Sequence, residues 1–351
     1  MQPISIESKK TIDRMMLWIC PAIILMDVVV GLIAGYDDLV EMFAWNALLV
    51  ELVIFYWPAR SFIERRGGKK AFGLVRVSAG EWVWAVLFGF GAFFISTALN
   101  GVMQLLWQGL GANEPLISTP LPMDGGWRLF ASLFLIAVIP ALAEETLFRG
   151  ALLHAWLPLG KTRAVWHSAL LFALIHLQPN ALPSLLLLGL LLGAITLLTG
   201  SVYPAMVVHG VNNAIAVLLS AAAGKEALAA ASQPLVAAEL LPGLLIYTVI
   251  GAVGVFVSYQ GLKRAASKRR AVPAEELLTM RELRPFGSAH AAEQADTAAA
   301  QESPAPPQYR PGVKRHGTGK LAVTLTYALM IFLNVLLFVL MFIDLPMPVG
   351  L

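Results

Sequence analysis

Three short patterns put chemically able side chains into otherwise apolar sequence. The first is Glu144-Glu145-x-x-x-Arg149, two adjacent carboxylates and a guanidinium inside an apolar run from Leu129 to Trp156. The second is Phe172-x-x-x-His176, and the third is His209-x-x-x-Asn213 with Asn212 beside it. A charge in lipid or protein interior costs kilocalories, so an ionisable cluster there points to function by default. On a helix, Glu145 and Arg149 share a face, while Glu144 points about 100° away. One glutamate can pair with the arginine and the other is left to act. A carboxylate, two imidazoles and an amide, with no other strong acid on those three helices, are the parts of an acid–base site. Each also has a plain structural use: an ion pair within one helix, a hydrogen-bonded histidine, an asparagine tying helices together.

The elements that must position them are helices in a membrane. The 351 residues are 58% apolar and 13% charged, with a mean hydropathy of +0.72, against roughly 45–50% and ~25% in soluble domains. Apolar windows of about 20 residues recur, long enough to cross a ~30 Å hydrocarbon core. The expected fold class is all-α, a polytopic helical membrane protein with about eight core transmembrane helices plus a ninth C-terminal one. The spans read as 15–35, 39–58, 82–107, 129–156, 164–178, 182–199, 204–223, 241–262 and 321–343. The N-terminal run is too long for a cleaved signal peptide and reads as a first span. Asp27 within it is expected to face other helices, hydrogen-bonded. Cys20 is the only cysteine, which excludes an internal disulfide framework and thiolate metal clusters.

The net charge of +3 is small, and the basic residues lie in clusters between spans. They report orientation rather than nucleic-acid binding. Arg60 to Arg76, Lys161 with Arg163, Lys263 to Arg270 and Lys314 to Lys320 all fit one cytoplasmic side, with a cytoplasmic N-terminus and an outer C-terminus. The loop with Pro115, Pro120, Pro122 and Gly125 and the alanine-rich stretch 224–240 read as outer loops, the latter with a short helix. The expected organisation is a two-helix hairpin with its basic loop (1–79), a core that carries the three patterns (80–262), a disordered cytoplasmic linker (263–319) and a terminal helix (320–351). A helical turn at 274–283 is expected inside the linker. The expected setting is a bacterial cell membrane.

Helix rise gives the depths. If span 4 continues past Arg149 to the break at Pro158, Glu144 lies ~18 Å from its cytoplasmic end and His176 lies ~20 Å into span 5. His209 and Asn213 lie ~9 and ~15 Å into span 7. One pocket, open to the cytoplasm, can hold all four. His154 and His167 are expected at the interface.

In order and spacing, the three patterns resemble the motifs of the CAAX prenyl endopeptidase type 2 and bacteriocin-processing family, also called Abi or CPBP. The resemblance covers about residues 80–262. It implies an intramembrane endopeptidase that cuts a lipidated or membrane-tethered peptide. Glu144 would take a proton from water, His176 would orient that water, and His209 and Asn213 would donate to the oxyanion. Glu145 and Arg149 would be a structural ion pair. No cofactor is expected; zinc on Glu144, His176 and His209 is the alternative, although there is no His-Glu-x-x-His pair and Asn213 suits an oxyanion better than zinc. The expected partners are the bilayer and a membrane-tethered peptide or protein substrate, not nucleic acid. A non-catalytic membrane factor, such as a bacteriocin-immunity or scaffold protein, would keep the same pocket for binding. A transporter would show inverted repeats or paired broken helices, which the sequence lacks.

Overall fold

The structure, a computed structural model, describes residues 6–34, 39–111, 126–231, 236–270 and 318–340. It is a polytopic helical membrane protein, and the described residues contain no strand. Nine long helices are described: α1 (Ile6–Ala34), α2 (39–66), α3 (Ala79–Gly109), α4 (Gly126–Leu159), α5 (Lys161–Ile175), α6 (Leu182–Thr199), α7 (Tyr203–Ala231), α8 (Ala237–Arg270) and α9 (Thr318–Leu340). Seven of them are long and apolar enough to cross a membrane, and α9 contributes a shorter apolar stretch, Leu321–Leu337. The proline-rich loop before α4, the 274–283 turn and most of the 263–319 linker, and the end of the ninth span lie outside the described residues. The chain divides into two units, Met1–Ala266 with Thr318–Leu351, and Ser267–Gly317. Within the second, only the last turn of α8 is described.

Several boundaries differ from the sequence expectation for physical reasons. The alanine-rich stretch after Ala223 continues α7 to Ala231 rather than forming a loop, since alanine is the strongest helix former. α8 runs through its basic cluster to Arg270, where cations complement the helix dipole. α5 ends at Ile175, three residues early. At 1.5 Å per residue it is ~22 Å long, short of a ~30 Å core, so its end lies at the level of the middle of its neighbours. α4 continues past Arg149 as expected, with wide π-type turns over Leu133–Val138 and Thr146–Leu153 flanking the two carboxylates. Such turns are frequent at functional sites. α3 starts at a capping box, Ser78 with Glu81.

One end of the bundle is stitched by loop contacts. Val202 N donates to Gly73 O at 2.8 Å, Ser201 Oγ to Val75 O at 2.7 Å, and Arg66 to Thr11 Oγ1 at 2.8 Å. This end gathers the starts of α1, α3, α5 and α7 and the ends of α2, α4 and α6. His154, expected at the interface, is buried here: it donates from Nδ1 to Arg149 O at 2.6 Å, and a Cβ on Gly73 would meet its ring at 2.7 Å. His167 is half-buried, 2.8 Å from the Tyr327 hydroxyl. Asp27 is exposed on α1 rather than turned inward.

Two apolar clusters flank α4 and its neighbours. One joins α1, α2, α4 and α5 around Phe62, Phe148, Trp156 and Phe172, with Cys20 buried in it. The other joins α3, α6, α7 and α8 around Phe88, Leu192, Val208 and Leu262. α3 and α8 approach so closely that a Cβ on Gly91 would lie 2.6 Å from Val255 N. Small residues permit such backbone contact, the usual basis of helix association in lipid.

Candidate active site

Glu144 and Glu145 occupy the middle of α4, and they face different neighbours. Glu145, fully buried, receives Arg149 at 2.8 Å and His209 Nδ1 at 3.0 Å, both on Oε1. A carboxylate can only accept, so the His209 proton sits on Nδ1 and Nε2 faces away from Glu145. Arg149, also fully buried, donates to Gly189 O at 3.1 Å and lies 4.4 Å from the centre of the Phe172 ring. The expected Glu145–Arg149 pair is present with a third member: His209, which the sequence assigned to Glu144, joins Glu145 instead.

Glu144 lies on the adjacent face, 6% exposed, and its Oε2 has no hydrogen-bond partner. The nearest imidazole is His176, with Nε2 at 3.8 Å from that oxygen. His176 sits just past the last turn of α5, and its Nδ1 donates to Phe172 O at 2.6 Å. This bond fixes the ring with Nε2 toward Glu144. The early end of α5 thus places an imidazole at a helix terminus, level with a carboxylate in mid-helix.

Phe172 is the shared floor. Its ring lies 4.8 Å from the His176 ring, 5.7 Å from the His209 ring and under the Arg149 guanidinium. The aromatic residue one turn before His176 therefore holds both imidazoles and the arginine in register.

Asn213 donates from Nδ2 to Ile136 O at 3.1 Å and accepts from Asn212 at 3.2 Å. Ile136 needs that donor because the residue four positions on is Pro140, which has no N–H. The structure thus brings Glu144 to His176 and Glu145 to His209, while the Asn213 Nδ2 hydrogen bond ties α7 to α4.

One residue was missed. Glu51 of α2 is 6% exposed, and its carboxyl neighbours that of Glu144. Two carboxyls can share a hydrogen bond only if one carries a proton. The signal was available: Glu51 is a lone acid in an apolar run, the same criterion that singled out Glu144.

The zinc alternative names Glu144, His176 and His209 as ligands. Its donors are divided, His176 toward Glu144 and His209 onto Glu145. Among the described residues no three His, Cys, Asp or Glu side chains gather closely enough to hold a metal ion. A cavity of about 370 Å³ near Lys161, Trp166, Leu198 and Tyr259 lies at the opposite end of α5 from His176.

No curated protein and no solved structure matches the chain. One family model does, described as type II CAAX prenyl endopeptidase Rce1-like, over residues 126–215. That stretch opens at the first turn of α4 and closes two residues after Asn213, so it contains all three motifs but neither Glu51 nor α9. This segment, which carries Glu144, Glu145, Arg149, His176 and His209, is thus similar to the type II CAAX prenyl endopeptidase family.

Proposed function

We propose that the protein is an intramembrane endopeptidase that hydrolyses a peptide bond of a membrane-tethered or lipidated substrate with water activated by Glu144. The observation that carries this reading is the Glu144–His176 geometry: a buried oxygen without a partner, 3.8 Å from an imidazole nitrogen whose ring is locked from its other side. That separation is too long for a direct hydrogen bond and suits one bridging water.

In this reading Glu144 removes a proton from the water while His176 orients it, and the hydroxide attacks the scissile carbonyl. Glu144 then passes the proton to the leaving amine, so the water's oxygen ends on the new carboxyl and its proton on the amine. The oxyanion needs donors in a dry site, where they are worth most. His209 offers Nε2, which donates when the ring carries both protons, and Glu145 holds the opposite nitrogen. Asn213 offers its second amide hydrogen. Glu145 and Arg149 keep the cluster's charge balanced away from water, where one unpaired charge would be costly. The reaction is taken as metal-free because the possible metal donors are split between two carboxylates.

The catalytic core is read as 80–262 with the hairpin 1–79 packed beside it, and the N-terminus as cytoplasmic, since the basic clusters lie at the end where α1, α3, α5 and α7 start. Glu144→Gln in the full-length protein tests the reading, with cleavage of a membrane-tethered peptide in proteoliposomes as the readout. Loss of turnover with an unchanged unfolding profile is expected. Undiminished turnover would leave a non-catalytic binding factor as the better account.

A further inference from the structure

We infer that the ninth helix is part of the catalytic apparatus, a positioning element that holds the end of α5 so that His176 faces Glu144. The inference rests on the function proposed above and concerns residues outside the matched segment.

α9 packs against α1 and α5. Tyr327 meets His167, hydroxyl to Nδ1, at 2.8 Å. Asn334 donates from Nδ2 to Leu174 O at 2.9 Å, and also to Met330 O in its own helix at 2.9 Å. The two meeting points are seven residues apart on each helix, so α5 and α9 run parallel along two turns with one polar contact at each end. Asn334 is buried, and its Oδ1 has no partner. An unsatisfied buried oxygen is a cost that only its amide hydrogens offset.

What the amide holds is a turn under strain. The last carbonyls of a helix have no intrahelical partner. Before Asn334 is counted, Leu174 O receives only short-range backbone bonds, from His176 N two residues on and, at a long 3.3 Å, from Leu177 N, in place of the ordinary bond from four residues on. Leu177, directly after His176, has φ +51°, the left-handed region, and is the only non-glycine residue with positive φ among those described. Glycine usually fills this position after a helix, and a branched side chain there is strained. His176 therefore sits between a helix that ends early and a residue in a disfavoured conformation. Asn334 is the side chain from another helix that binds this terminus.

The experiment uses full-length protein in proteoliposomes and measures kcat and KM on a membrane-tethered peptide. Asn334→Leu keeps the size and removes the donors. The expected result is a kcat at least about tenfold lower with KM little changed, because a small misplacement of a catalytic group slows the chemical step. Adding Leu177→Gly should return most of that kcat, since glycine holds the left-handed turn without help. Tyr327→Phe, which loosens α9 at the other contact, should cost far less kcat than Asn334→Leu. If Asn334→Leu does not fold, Asn334→Gln carries the test, with an intermediate kcat that Leu177→Gly raises. An unchanged kcat, or a loss that Leu177→Gly leaves in place, would overturn the inference. Should the wild type show no Glu144-dependent cleavage, the proposed function fails. The inference is then read from the His176 ring signals in NMR, which must move in Asn334→Leu and return with Leu177→Gly; signals that stay in place overturn it.

Discussion

Glu145 Oε1 receives both Arg149 and His209 Nδ1, at 2.8 and 3.0 Å, in a site with no exposure to solvent at the carboxylate or the guanidinium. One oxygen thus balances a charge and orients an imidazole, and the two roles can be separated. Glu145→Gln leaves Arg149 buried without its anion, which is expected to cost about 3–5 kcal/mol of stability. Glu145→Leu with Arg149→Met removes both charges and should recover most of that stability. It should not recover cleavage, because His209 still lacks its carboxylate. Unfolding in detergent beside turnover on one peptide checks this; recovery of activity by the neutral pair would show Glu145 to be purely structural.

Glu51 neighbours Glu144 from α2, outside the motif-bearing segment. A carboxyl–carboxyl hydrogen bond needs one proton, and glutamine at 51 supplies a permanent donor in its place. Glu51→Gln is therefore expected to keep turnover within a few-fold of wild type. Glu51→Leu removes the partner, a loss of about 1–3 kcal/mol to a buried group, or roughly 5–150-fold if it falls on Glu144 in the transition state. Equal rates for the two variants would show that Glu51 has no hold on Glu144.

Much of the site was legible because it is local. Glu145 and Arg149 are one helical turn apart, as are Phe172 and His176, and spacing alone reports such pairs. Which carboxylate meets which imidazole was not legible, because it depends on how α7 is rotated against α4, and helix–helix rotation leaves no mark in a single chain's spacing. The same holds for the end of α5: leucine at 177 gives no sign of a left-handed turn, which glycine would have advertised. The burial of His154 came from its contact with Gly73, 81 positions earlier in numbering, and only the packed loops disclose it. Glu51 was visible as a lone acid, but without a nearby partner in sequence it carried no spacing to read.

The join between α1 and the end of α4 is a control for these site variants. Trp156 Nε1 donates to Asp13 Oδ1 at 2.8 Å, and Lys9 binds the other oxygen at 2.5 Å. Trp156→Phe removes that donor from a buried carboxylate and should lower stability by about 1–3 kcal/mol. The contact is at the stitched end of the bundle, away from Glu144, so kcat should stay within about twofold, a shift of under ~0.5 kcal/mol in the barrier. A large loss of kcat without a loss of stability would mean that the two regions are coupled.

Asn213 has two possible duties, and Pro140 allows them to be told apart. Its Nδ2 serves the Ile136 carbonyl, which Pro140 leaves without the ordinary bond from four residues on. Asn213→Ala should therefore cost about 1–3 kcal/mol of stability for the abandoned carbonyl, and, if its second hydrogen meets the oxyanion, about 10²–10³ in kcat. Pro140→Ala restores a backbone N–H at the position Ile136 lacks. In the double variant the stability term should largely return, because the helix now satisfies its own carbonyl. The kcat term should persist, because no backbone group replaces the amide at the oxyanion. Measured side by side, unfolding midpoints and kcat for the two single variants and the double give a clear division. Recovery of both assigns Asn213 to the α4–α7 joint alone, and recovery of stability without kcat assigns it to the reaction.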